Sequence, residues 1–140
     1  METILIADDA PDVLSLAREI LEAEGYTVLT AADGEEALRV AAAHPGPIQG
    51  LLADVVMPKM TGPELADQLT RSHRETRVVF MSGYTTEAVG QFGIMNVGAP
   101  FVGKPFTPAL LLLKLREALD YRSPFQRPAA PARPPQPVFA

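Results

Sequence analysis

Short, almost wholly apolar runs recur along the chain at near-even intervals: Thr3-Ile4-Leu5-Ile6-Ala7, Thr27-Val28-Leu29-Thr30, Gly50-Leu51-Leu52-Ala53, Arg77-Val78-Val79-Phe80-Met81 and Phe101-Val102-Gly103. Their starts lie 24, 23, 27 and 24 residues apart. Runs this short, without alternation, suit strands buried on both faces, and each interval leaves room for one helix and two loops. The pattern predicts five strand-plus-helix units.

Caps and periodicity place the helices. After the first strand, Val13, Leu16, Ala17, Ile20 and Leu21 share one face, while Ser15, Arg18, Glu19 and Glu22 take the other and Gly25 follows as a stop. Asp33-Gly34-Glu35-Glu36 opens a second helix that ends before His44-Pro45-Gly46-Pro47. Gly62-Pro63-Glu64 starts a third, and Thr107-Pro108 starts the last, each with proline in the first turn. The fourth, over Glu87 to Phe92, is the weakest, because Gly90, Gly93 and Gly98 make residues 83 to 100 the least stable stretch.

Alternating strands and helices predict an α/β fold, a doubly wound five-stranded parallel sheet with helices on both faces and right-handed crossovers. The 140 residues are roughly half of what an eight-fold barrel needs, so an open sheet remains. In such sheets, sites form beyond the carboxyl ends of the strands, where the strand order reverses.

Composition narrows the chemistry. There is no cysteine, which excludes disulfides, thiolate metal sites and thiol nucleophiles, and the two histidines, His44 and His73, are far apart in sequence and read as surface residues. No run approaches the ~20 apolar residues of a membrane span and no signal peptide is evident, so a cytoplasmic location with no membrane partner is expected. The net charge of −5 argues against a nucleic-acid surface. That charge is uneven: residues 121–140 carry Arg122, Arg127 and Arg133 with no acid, leaving 9 basic and 17 acidic groups, a balance of −8, in residues 1–120. The same segment holds 6 of the 14 prolines and is expected to be a disordered Pro/Arg-rich tail behind a domain spanning 1–120.

The strand ends carry the reactive groups. The first strand runs into Asp8-Asp9, the third into Asp54, the fourth into Ser82 and the fifth into Lys104. With strand order 2-1-3-4-5 the first and third strands are neighbours, which brings Asp8, Asp9 and Asp54 together. Three such carboxylates cannot all stay ionised without a counter-charge. Lys104 is one remedy and a hard divalent cation is another; magnesium, bound through one or two carboxylates with positions left for water and phosphate oxygens, fits that role. A cation, an amine and a hydroxyl beside carboxylates are also what phosphoryl transfer requires. Asp54, alone on its strand end, is the candidate nucleophile, with the acid pair beside it to hold the metal.

These segments resemble a two-component response-regulator receiver domain. The resemblance rests on Ile6-Ala7-Asp8-Asp9, Asp54-Val55-Val56-Met57-Pro58 with Gly62 after it, Met81-Ser82-Gly83-Tyr84 and Lys104-Pro105-Phe106, and covers residues 2 to about 120. It implies a flavodoxin-like fold and a phosphorelay switch that accepts a phosphoryl group from phosphohistidine onto Asp54. It implies that Asp9, Asp54 and the backbone carbonyl of Val56 bind Mg2+, that Asp8 holds the ion through water, and that Lys104 and Ser82 contact the phosphate. A cis Lys104-Pro105 bond, a switch aromatic at Phe101, and a histidine kinase or histidine phosphotransfer domain as partner are implied as well. So is a role other than that of a conventional enzyme, the domain assisting its own phosphorylation and dephosphorylation. Two departures stand out: Ala10-Pro11 follows the acid pair where a further acid is frequent, and Phe101 replaces the commoner tyrosine. The wording of the Met-Ser-Gly-Tyr and Lys-Pro-Phe segments is similar to receivers at the carboxyl end of hybrid sensor histidine kinases.

Two other function classes use parts of the same pattern. A receiver-like interaction module would have lost phosphorylation, which the complete set of five polar residues opposes. A magnesium-dependent phosphohydrolase would need a further acid at a strand end, and none is present. On a helical wheel the last helix buries Leu111, Leu112, Leu115, Ala118 and Leu119 and turns Leu110 and Leu113 outward, either to a partner or second copy, or to the tail through Phe125.

Overall fold

The structure, a computed structural model, describes residues 2–83 and 100–120. The helix expected over Glu87 to Phe92 and the tail 121–140 lie outside the described residues.

Five strands form one parallel sheet: β1 (Thr3–Ala7), β2 (Thr27–Ala31), β3 (Gly50–Asp54), β4 (Arg77–Ser82) and β5 (Phe101–Gly103). Their order is β2-β1-β3-β4-β5, the order expected of a flavodoxin-like sheet. Every residue of β1 and β3 is buried, which accounts for their unbroken apolar character. Four described helices, α1 (Pro11–Ala23), α2 (Gly34–Ala43), α3 (Gly62–Ser72) and α4 (Pro108–Asp120), cover the two faces.

The period-2 alternation of each strand divides the core into two layers. Leu5, Ala7, Leu51, Ala53 and Phe80 face one way and pack with Ala37, Ala41, Leu65 and Leu69 of α2 and α3. Ile4, Ile6, Leu52, Val79, Met81 and Val102 face the other way and meet Ala17, Ile20 and Leu21 of α1 and Leu111, Leu115 and Ala118 of α4. Each fully buried leucine or isoleucine stabilises the fold by about 1.5–3 kcal/mol.

One expected core position is corrected. Leu16 is 46% exposed, whereas Leu14 is half-buried against the second layer. The inward stripe of α1 is centred on Ala17 and reaches Ile20 and Leu14, each roughly 60° to either side; Leu16, roughly 100° away, falls outside it. On α4 the wheel holds: Leu111 and Leu115 are buried while Leu110 and Leu113 are 39% and 53% exposed.

At the edge of the sheet opposite the strand carboxyl ends, Arg116 of α4 donates to both carboxylate oxygens of Glu2 at 3.0 and 2.8 Å and to the Tyr26 hydroxyl at 3.0 Å. It also grips Asp120 at 3.0 Å through two nitrogens. This clasp ties the starts of β1 and β2 to the end of α4. No described helix is long and apolar enough to cross a membrane.

Candidate functional site

The parallel ladders run on past the strands and carry the polar residues to one edge. Register pairs Asp54 with Met81 and Ser82 with Gly103. The next backbone bonds, Asp8 N–H to the Ala31 carbonyl at 3.1 Å and Lys104 N–H to the Ser82 carbonyl at 2.9 Å, extend the same alignment by one residue. Asp8, Asp54 and Lys104 are therefore set by sheet backbone, the stiffest part of the fold, rather than by free loops.

Asp8 is fully buried, and both of its oxygens are engaged. Oδ1 accepts from the Ala10 N–H at 2.8 Å, and Oδ2 accepts from Lys104 Nζ at 2.8 Å. Lys104 Nζ also lies 3.2 Å from Asp54 Oδ1, so one ammonium bridges the ends of β1 and β3. Asp9 is exposed on the rim. Asp8, Asp9 and Asp54 each offer an oxygen, and these lie within 4.8 Å of one another. The Lys104-Pro105 bond is cis, as the resemblance implies.

The loop after β3 is held close beneath that strand. Val55 N–H donates to the Met81 carbonyl at 2.9 Å, and Gly62 N–H donates back to the Val55 carbonyl at 2.8 Å. A Cβ at Gly62 would collide with the carbonyl oxygen of Asp54 and stand 3.1 Å from Val55 Cα. Thr61 and Glu64 close a reciprocal capping box, so Gly62 is not needed as a cap; it is needed for room. In the sequence Gly62 reads only as the start of the third helix; the close approach arises where α3 meets the end of β3.

Burial and the neighbouring charges set the ionisation. Burial first, then the Asp8 charge, push the Asp54 carboxyl up to about 6, against the pull of Lys104. Burial works against the Lys104 charge, but its hydrogen bond to Asp8 and the charge of Asp54 outweigh it and hold the ammonium above its usual value. The site thus combines a carboxylate close to its titration point with a cation that stays protonated at neutral pH.

The donor set fits magnesium. Oxygens around that ion sit at about 2.0–2.1 Å, which places opposite ligands about 4 Å apart. Neighbouring ligands stand about 3 Å apart, so the carboxylate oxygens, within 4.8 Å of one another, would draw together to share one ion. Three carboxylates against one ammonium leave about two negative charges, which a divalent ion balances. Val56, two residues past Asp54, is half-buried on the loop, and Ser82 is buried at the end of β4. Phe101, half-buried, pairs in register with Phe80 and packs against the first core layer, on β5 rather than among the acids.

The chain matches the model for the response regulator receiver domain over residues 4–116. It is 33% identical over 118 residues to the sensor kinase CckA of Brucella abortus (strain 2308), covering 84% of this chain and 12% of that protein. Against the next curated relatives it spans about half their length. Among solved structures, the receiver domain of the hybrid histidine kinase CckA is 36% identical with a TM-score of 0.66, and the alignment covers 84% of this chain and 99% of that one. Response regulator TrrA of Thermotoga maritima, solved in complex with Mg(2+)-BeF, is 28% identical with a TM-score of 0.71 at 84% and 99% coverage. Sheet order, acid cluster and these matches agree: the chain belongs to the response-regulator receiver domain family, the phosphoacceptor signalling domains of two-component systems.

Proposed function

We propose that this domain receives a phosphoryl group on Asp54 from a phosphohistidine of a histidine kinase or histidine phosphotransfer protein, with Mg2+ bound at Asp9, Asp54 and the Val56 carbonyl and held through water by Asp8. The observation that carries this reading is the bridge of Lys104 between buried Asp8 and Asp54, at 2.8 and 3.2 Å, beside the exposed Asp9. An Asp54 oxygen bonds to phosphorus as the phosphorus–nitrogen bond breaks, and the electron pair returns to the imidazole of the donor. When bound, the cation neutralises charge on the phosphoryl oxygens and lowers the repulsion among the acids. Lys104 and Ser82 donate to those oxygens from fixed backbone positions. Because Asp8 has both oxygens occupied, it orients Lys104 rather than competing as nucleophile. Through the same groups the domain assists its own phosphorylation and dephosphorylation.

Modification relays outward through Phe101 on β5, whose phenyl ring has no hydroxyl to anchor it, toward the surface of β5 and α4. We place the receiver in residues 1–120, with the Pro/Arg-rich segment 121–140 beyond it, and the protein in the cytoplasm. Incubation with acetyl phosphate and magnesium chloride, read by intact mass, tests the chemistry: a gain of a single phosphoryl group that chelation prevents is expected, and no gain counts against the proposal.

Leu110 and Leu113 form an outward pair on α4, and we assign them to self-association of the domain. Light scattering behind size exclusion is expected to show a lower mass for Leu110→Lys/Leu113→Lys than for the wild type after phosphorylation. An identical mass would remove the assignment.

A further inference from the structure

The acceptor loop between β3 and α3 is seated from outside the site, against the start of α2. Met60 N–H donates to the Pro58 carbonyl at 2.7 Å, closing a three-residue turn around Lys59, whose φ is +71°. A left-handed lysine in so tight a turn is a strained conformation that persists only where its surroundings impose it. Two contacts with α2 do so. Lys59 Nζ lies 3.6 Å from Glu35 Oε1, both side chains exposed, which makes this the weaker contact. The stronger is packing: at Gly34, buried in the first turn of α2, an added Cβ would stand 2.7 Å from Met60 Sδ, 3.0 Å from its Cβ and 3.1 Å from its Cγ.

Neither side of this contact is free to drift. The start of α2 is locked by Asp33, which accepts from Glu36 N–H at 2.8 Å, and by Glu36, which accepts from Ala32 N–H at 2.7 Å. The start of α3 is locked by the Thr61–Glu64 box and by Gly62 against the Asp54 carbonyl. Between these anchors, Met60 is the residue that packs against Gly34 of α2, and Val56 lies four positions upstream on the same short loop. Sδ can swing aside, but the Met60 Cβ moves only with the backbone, so a methyl group at residue 34 must push the loop by a few tenths of an ångström.

We infer that Gly34 and Met60 are positioning residues for the cation site: their contact seats the β3–α3 loop so that the Val56 carbonyl stands at the distance magnesium requires. This rests on the proposed cation ligands. It adds that residues touching neither the ion nor the phosphate set the site's metal selectivity. Magnesium demands near-ideal octahedral geometry, whereas calcium accepts longer and less regular coordination. A small loop displacement therefore weakens magnesium binding more than calcium binding, which a general loss of stability does not do.

Calorimetric titration of the 140-residue protein with magnesium chloride and with calcium chloride tests this. Gly34→Ala is expected to lower magnesium affinity about fivefold or more with a smaller loss for calcium, so that the ratio of the two affinities falls. Gly34→Ala/Met60→Ala, which keeps the Met60 Cβ contact, is expected to leave the ratio lowered. Ile20→Val, a destabilising change in the other core layer, is expected to leave the ratio unchanged. Met60→Ala alone, which empties the seat without crowding it, is expected to lower the ratio as well and serves if Gly34→Ala does not fold. Equal losses for both ions, or unchanged magnesium affinity in Gly34→Ala and Met60→Ala, would overturn the inference. Absence of magnesium binding by the wild type would instead remove the proposed ligand set, and this inference with it.

Discussion

Asp54→Asn is expected to take up no phosphoryl group under conditions that fully modify the wild type, a loss of at least about a thousandfold in rate. An amide is no nucleophile toward phosphorus, and the neighbouring acids cannot replace the lost one. Asp8 is buried with its oxygens held by Ala10 and Lys104. Asp9 is exposed and forward on the rim, so it is the position to check by peptide mapping; phosphate found there at wild-type levels would refute the acceptor assignment. The same variant has an opposite effect on stability. In the cation-free protein, burial and the Asp8 charge push Asp54 up to about 6, so the native state binds this proton more tightly than the unfolded chain does. Ionised Asp54 is then a cost to folding at pH above 6, and that cost fades as pH falls toward about 4, the value for an unfolded aspartate. Asp54→Asn should therefore be more stable than the wild type by about 1–3 kcal/mol at neutral pH, with the advantage shrinking on acidification. Denaturant titrations across that range in chelator measure it, and an advantage that grows at lower pH would show the sign to be wrong.

Lys104→Met is expected to slow phosphorylation by about a hundredfold and to destabilise the cation-free protein by about 1–3 kcal/mol at neutral pH. The ammonium lies 2.8 Å from Asp8 and 3.2 Å from Asp54, with its side chain only 20% exposed. Its removal leaves three acids within 4.8 Å of one another and no ammonium between them. Asp54, which Lys104 holds down, then rises above its wild-type value, so a smaller fraction is the nucleophilic carboxylate at neutral pH. Two treatments should restore stability: acidification, which protonates the acids, and magnesium, which replaces the missing charge. Thermal melts with and without magnesium chloride check this. The increment from magnesium is expected to be larger in Lys104→Met than in the wild type, and an equal increment would mean that lysine and cation do not share the same acids.

Much of this was legible in the chain before any coordinates. Apolar runs without alternation mark strands with two buried faces, and β1 and β3 are buried at every residue. The polar residues stand at or just past the ends of such runs, and the sheet register aligns Asp8, Asp54, Ser82 and Lys104 by backbone bonds. Leu16 was less legible, because a wheel gives angles between residues and not the width of the surface that covers them. The β3–α3 loop was the least so. Gly34 reads as a helix start and Met60 as a gap-filling side chain, and nothing in their separation of 26 positions shows that one leaves room for the other.

By itself the sequence determined the order of the strands and of the described helices, and the strand ends that carry acid, hydroxyl and amine, since both follow from local periodicity and residue type, while the family followed from the resemblance of its motifs. Only the tertiary structure decided that Lys104 bridges Asp8 and Asp54, that burial shifts Asp54 to about 6, and that Gly62 and Gly34 make room for Asp54 and Met60. The physical reason is range. Hydrophobic patterning is written within a few residues along the chain, whereas charge coupling and steric clearance act between residues that meet only when the sheet and its helices close.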